Sequence, residues 1–120
     1  MLPEVQRAID QIYAPKDGRP KRVTENAVSN FLGWPNRRMD YLPKCKELVH
    51  NYFEEFPVYW AREVAWCYQY LGQTIGEDAI HWKDIRDITN LRRNNFLASY
   101  EHLHLFVDED TASKIKSLLV

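Results

Sequence analysis

The stretch Lys21-Arg-Val-Thr-Glu-Asn-Ala-Val-Ser-Asn-Phe-Leu-Gly33, followed by Trp34-Pro35 and Asn36-Arg-Arg-Met-Asp-Tyr-Leu42, decides the fold class. Thr24 carries the side-chain oxygen an N-cap needs, and Ala27, Val28, Phe31 and Leu32 share one helical face. Gly33 suits the left-handed residue that closes a helix. In the second segment Met39 and Leu42 face inward, which leaves Asn36, Arg37, Arg38, Asp40 and Tyr41 outward. Two short helices joined by a glycine turn, the second bearing Arg and Asn near its start, match a helix-turn-helix reader over about 22–42.

The chain on either side also reads as helix. Upstream, Leu2, Val5, Ala8, Ile9 and Ile12 recur at helical spacing, with Pro3 in the tolerated first turn. The segment Tyr13-Ala-Pro-Lys-Asp-Gly-Arg-Pro20 holds two prolines and a glycine, so it is a loop or arm carrying the cations Lys16 and Arg19. Downstream, Pro43 opens a helix in which Cys45, Leu48, Val49, Tyr52, Phe53 and Phe56 form an apolar series. Pro57 starts another, with the stripe Trp60, Val64, Cys67, Tyr68 and Leu71 and with Arg62 and Trp66 one turn apart and able to stack. An antiparallel pair of these helices, about 43–71, is the expected scaffold.

After Gly72 and Gly76 a second short-helix unit spans about 80–104. Trp82, Ile85 and Ile88 share a face, and Asn90 is a candidate cap for the next helix. There Phe96, Leu97, Tyr100 and Leu103 face inward and Arg92, Arg93, Asn94 and Asn95 group at the leading end. The arrangement repeats that of the first unit. At the end of the chain, Asp108-Glu-Asp-Thr precedes a helix anchored by Ile115, Leu118 and Leu119. An acidic triplet can hold a divalent ion, but at a helix start it more often caps and complements the dipole. The expected fold is all-α, one helical domain over residues 1–120 with two helix-turn-helix-like units on a two-helix scaffold.

Composition sets the outer limits. With 120 residues, 45% hydrophobic and 28% charged, the chain is sized for one globular core that buries roughly two-thirds of its unfolded surface. No window approaches a membrane span, and no basic-then-apolar leader is present, so the expected setting is intracellular, in the cytoplasm. Cys45 and Cys67 lack metal-ligand spacing; burial as small hydrophobes is expected, with a disulfide left open. His102 and His104, at i and i+2, diverge on a helix. Glu54 with Glu55, and Asp84 with Asp87, read as solvated faces. Without a Ser and His pairing, a glycine-rich phosphate loop or a ligand cluster, the expectation is a non-enzyme with no metal and no cofactor.

The net charge of -1 conceals a polarised chain. From Lys16 to Lys46 eight basic residues face three acidic ones, a local charge of +5, whereas from Glu47 onward seven basic residues face twelve acidic ones, or -5. Such a chain presents one region to an anion. Guanidinium groups match the O6 and N7 acceptors of guanine, and carboxamides match the N6 and N7 edge of adenine. Base reading therefore falls to Asn36, Arg37, Arg38 and Tyr41 in one unit and to Asn90, Arg92, Arg93, Asn94 and Asn95 in the other. Lys16, Arg19, Lys21, Arg22, Lys44 and Lys46 are the expected phosphate contacts.

These landmarks resemble the C-terminal region of the TnsD branch of the TniQ family, the target-site selectors of certain cut-and-paste transposons. The residues that carry the resemblance are Gly18-Arg-Pro-Lys-Arg-Val-Thr24, Ala27-Val28, Leu32-Gly33 and Leu42-Pro43-Lys44. They continue with Glu54-Glu55, Ala61-Arg62-Glu63-Val64-Ala65-Trp66, Trp82, Ile85-Arg86 and Thr89-Asn90-Leu91-Arg92, together covering about residues 18 to 97. No single piece is specific; their order and spacing carry the likeness. The resemblance implies sequence-specific binding of double-stranded DNA at a fixed chromosomal attachment site, which directs transposon insertion. It also implies a larger parent chain that recruits an ATPase regulator and a transposase. The family's N-terminal zinc-binding part has no counterpart here, and a Met1 so close to the matched region suggests an excised fragment or a stand-alone member, so that part's recruiting roles do not transfer. Arg62 and Trp66 look like residues that hold the fold. A monomer on non-palindromic DNA suits two units of different sequence. The competing expectation is a protein-interaction domain that docks transposition or regulatory partners without base-specific DNA contact, through its tryptophans and tyrosines and its acidic second half.

Overall fold

Pro3 in the first turn of α1 (Leu2–Tyr13) sacrifices no intrahelical hydrogen bond, and the stripe Val5, Ala8, Ile9 and Ile12 behind it is buried. The computed structural model describes residues 1–15, 18–35 and 37–119. Its regular structure is all helical: seven α-helices and four short 3-10 segments, with no strand among the described residues. The all-α class is as the periodicities predict. The chain forms two compact units, Met1–Glu54 and Glu55–Val120, where composition predicts one.

In the first unit α1 packs against α2 (Glu25–Leu32) and α3 (Pro43–His50). Their shared core holds Val5, Ala8, Ile9, Ile12, Val23, Val28, Met39, Cys45 and Val49. Each large aliphatic side chain removed from water there contributes about 1.5–3 kcal/mol before conformational entropy is subtracted. Thr24 caps α2 as expected, its Oγ1 accepting from the Ala27 amide at 3.0 Å. Gly33 closes α2 at φ 69°, and the Trp34 amide donates back to the Ser29 carbonyl at 2.9 Å.

The next expected helix is not there. In place of an α-helix over 36–42 stands one 3-10 turn, Arg38–Tyr41, preceded by Arg37 in the left-handed region at φ 69°. Leu42, before Pro43, is pushed out of helical geometry to ψ 73°. Met39 still points inward and Tyr41 outward. The helix expected to run on to Phe56 ends at His50: the Tyr52 and Phe53 amides turn back to the Val49 and His50 carbonyls at 3.0 and 3.1 Å, and Phe56 opens the next helix with Pro57 in its first turn. Phe53 and Phe56, read as core, are exposed in consequence, as is Phe31.

The second unit is organised by α4 (Phe56–Thr74), against which α5 (Trp82–Thr89), α6 (Arg93–Ser99) and the 3-10 segments Glu77–Ala79 and Tyr100–Leu105 pack. The helix α7 (Glu109–Lys116) lies on Tyr100–Leu105. The core takes Ala61, Val64, Cys67, Tyr68, Leu71, Ile80, Ile85, Leu91, Phe96, Leu103, Ala112 and Ile115. The two helices expected to pair as a scaffold thus belong to different units, α3 to the first and α4 to the second. Arg62 and Glu63 are buried inside α4. The Arg62 guanidinium lies 5.4 Å from the Tyr59 ring centroid, whereas Trp66 stacks on Tyr70 at 5.3 Å, so the expected Arg62–Trp66 stack gives way to neighbours a turn away on either side. Glu54, read as solvated, is buried. Every buried side-chain nitrogen and oxygen among the described residues has a hydrogen-bond partner, which keeps these charges from costing several kcal/mol each. Cys45 and Cys67 are buried and unbridged.

Candidate nucleic-acid interface

In the second unit a short turn puts the Arg and Asn cluster into solvent. The His81 amide donates to Asp84 Oδ2 at 2.9 Å and starts α5, so Asp84 is a cap and not merely part of a solvated face. At the other end Thr89 Oγ1 donates to the Ile85 carbonyl at 2.7 Å and accepts from the Leu91 amide at 3.3 Å. Asn90 takes φ 61°, a left-handed conformation its short polar side chain tolerates. It therefore terminates α5, and Arg92, in extended conformation, is the cap residue of α6. The expectation that Asn90 caps the following helix is corrected accordingly: a left-handed residue closes the helix before it.

The helix α6 is fixed from its buried side. Phe96 stacks on Trp82 with centroids 4.5 Å apart and planes 8° from parallel, and meets Tyr100 edge-on at 5.3 Å. Tyr100 donates to the Lys116 carbonyl at 3.2 Å; burial pushes its hydroxyl pKa up, against the opposing charge of Arg93. With Phe96, Ser99 and Leu103 inward, Arg92, Arg93 and Asn94 are exposed and Asn95 is half-buried. Neither guanidinium enters an ion pair among the described residues. Leu97, expected inward, is 41% exposed, and Ala98 beside it is exposed too. The inward stripe read from Phe96 to Leu103 is thus one residue too wide at Leu97. Spacing of 93, 94, 97 and 98 on a helical wheel was the available signal.

In the first unit the cluster lies on an irregular link. The Arg37 side chain is 84% exposed, its Nε 3.7 Å from Asp40 Oδ2, and the Arg38 guanidinium lies 5.2 Å from the Trp34 ring centroid. Tyr41 is 83% exposed. Lys44, on the first turn of α3, is exposed beside Leu2 and Leu48 in a shallow groove of about 550 Å³. Asn36 and Lys16, both candidate contacts, lie outside the described residues.

Other cations of this unit work internally. Lys46 Nζ lies 3.1 Å from Asp40 Oδ1 and 3.7 Å from Glu25 Oε1, and its pKa is raised first by the hydrogen bond to Asp40 and then by that carboxylate's charge. His50 Nε2 meets Glu25 Oε2 at 2.9 Å, so Glu25 ties α2 to α3 through two partners. The Arg22 Nε donates to the Glu54 carbonyl at 3.1 Å, and its guanidinium lies 5.4 Å from the Phe53 ring centroid. Arg22 is thus committed to holding the segment before α2. Lys21 is exposed and Arg19 half-buried, and each has a partner within the fold.

The arrangement offers guanidinium and carboxamide donors in solvent on α6 and guanidinium donors on the link before α3. Among the described residues no three His, Cys, Asp or Glu side chains converge as metal ligands would, and no helix is long and apolar enough to cross a membrane. No family model matches the chain, and neither a curated protein nor a solved structure matches it.

Proposed function

We propose that this chain binds double-stranded DNA sequence-specifically, and that it does so as the TnsD-like part of a target-site selector that directs transposon insertion to a chromosomal attachment site. The observation that carries the reading is the exposed face Arg92, Arg93 and Asn94, on a helix held rigidly by Phe96 and preceded by a left-handed turn. Guanidinium and carboxamide groups presented on a packed helix have the donor geometry that base edges in the major groove require. Arg37, Arg38 and Tyr41 provide a second exposed contact group, and Lys44 extends the cationic surface toward phosphate.

Several residues of the TnsD likeness carry structural work in this fold. Leu32-Gly33 forms the close of α2, Ala61 to Ala65 is buried in α4, and Thr89-Asn90-Leu91 forms the turn before α6. In this reading the chain catalyses nothing, binds as a monomer, and leaves recruitment of the ATPase regulator and transposase to the rest of a larger parent chain. The competing reading, a protein-docking domain, draws on the groove lined by Leu2, Pro3, Leu48 and Lys44.

Salt dependence separates the two. With about five to seven phosphate contacts, log affinity falls against log salt with a slope of roughly -5 to -6. Anisotropy titrations of a labelled duplex across a salt series measure it. A slope near zero, or no binding at low salt, removes the DNA reading.

A further inference from the structure

The exposed face of α6 carries more than charge. Around the wheel, Arg93, Asn94, Leu97 and Ala98 are exposed while Phe96 and Ser99 are buried, so one continuous strip runs from two donors to two apolar side chains. Solvated helix faces of small domains favour Lys, Glu and Gln, whose long polar side chains tolerate water and helix geometry alike. Here a leucine stands one turn beyond Arg93 and Asn94, and a small alanine beside it leaves room for a close approach. From Asn90 to Tyr100 there are two arginines and no carboxylate, which favours a polyanion against this strip over an acidic or apolar protein surface.

We propose that Leu97 reads a thymine, packing against its C5 methyl group in the major groove, with Ala98 setting the distance of approach; this rests on the DNA-binding reading above. The C5 methyl is the one apolar feature that distinguishes thymine in that groove, and an aliphatic side chain is its natural contact. Arg93 and Asn94 then specify neighbouring base pairs by hydrogen bonding, so the strip discriminates by two chemistries at once. An exposed leucine also contributes little to the fold, so its replacement leaves the unit intact.

The test uses the full chain and the duplex most enriched from a random library, in which each thymine is replaced singly by deoxyuridine. The replacement removes the methyl and keeps every hydrogen-bonding group. At one thymine the unaltered chain should bind about four-fold more weakly, the affinity equivalent of one methyl-sized burial. Leu97→Ala should bind the thymine duplex about four-fold more weakly and be indifferent to the replacement, while Leu97→Ile keeps the sensitivity. Thermal melting of both variants should match the parent. An enriched motif in which no thymine methyl matters, or in which Leu97→Ala responds to its loss as strongly as the parent does, overturns the Leu97 assignment alone. Failure to enrich any duplex overturns the DNA reading and the assignment together.

Discussion

Replacing Arg92 and Arg93 together by alanine should abolish most DNA affinity while leaving the fold untouched. The affinity half follows from the proposed DNA reading, and the stability half from the packing of α6. The two guanidinium groups are exposed and outside any ion pair among the described residues, and α6 is held by Phe96 between Trp82 and Tyr100. Alanine is at least as good a helix former as arginine, so the change in stability should stay within about 0.5 kcal/mol. In the complex, each arginine paired in bidentate fashion with guanine accounts for about 1–3 kcal/mol of discrimination, so two of them together are worth roughly 2–6 kcal/mol. If instead both contact phosphate, the salt slope becomes shallower by about 2. Lys114→Ala with Lys116→Ala is the matched control. Lys114 already faces Asp110 at 3.3 Å and Glu77 at 3.5 Å, and these carboxylates raise its pKa, so its charge is neutralised on the protein. Anisotropy at two salt concentrations, with melting curves recorded alongside, reads every quantity. Equal losses in the two double variants, or no loss in the arginine pair, would refute the reasoning.

Phe96→Ala removes a fully buried ring with two aromatic neighbours and should destabilise the second unit by about 3–5 kcal/mol, visible as a lowered urea midpoint with loss of helical circular dichroism; a shift under about 1 kcal/mol would contradict the packing described. Arg37→Gly relieves a left-handed residue costing about 1–2 kcal/mol and gives back about 0.5–1 kcal/mol in glycine entropy, so urea denaturation should find stability unchanged or up by at most about 1.5 kcal/mol while DNA affinity falls. Asp108 accepts from the Thr111 amide at 2.7 Å, which depresses its carboxyl pKa. Its stabilising contribution is therefore present above the ordinary carboxylate range and lost as pH falls through the depressed value, so melting of the parent should decline more below about pH 4 than that of Asp108→Asn. Identical acid limbs in the two proteins would dismiss that cap.

Caps and buried stripes were legible in the sequence. Thr24 and Gly33 delimit α2 as their chemistry dictates, the Val5 to Ile12 stripe is buried, and Asp108 starts α7. Errors arose where a local rule competed with a periodic one. The apolar series from Cys45 to Phe56 has helical spacing, yet the helix closes in a turn after His50 and the last two members fall off it into solvent. Between Pro35 and Pro43 the pattern of Met39 and Leu42 survives in a 3-10 turn, so the inward residues were identified although the helix type was not. Among the candidate contacts, Arg92, Arg93 and Asn94 were legible because α6 buries the opposite face. Arg22 and Lys46 were not, because their partners Glu54, Asp40 and Glu25 are fixed by tertiary contact and not by neighbouring sequence. Division into two units was also hidden, since the short break between α3 and α4 resembles an ordinary helix–helix turn.

Selection of bound duplexes from a random library, with bound fractions read at two salt concentrations, tests the central claim most directly. A long asymmetric enriched motif whose binding weakens steeply with salt is the predicted result. Salt-sensitive binding without any enriched sequence, or no binding at either salt concentration, would contradict it.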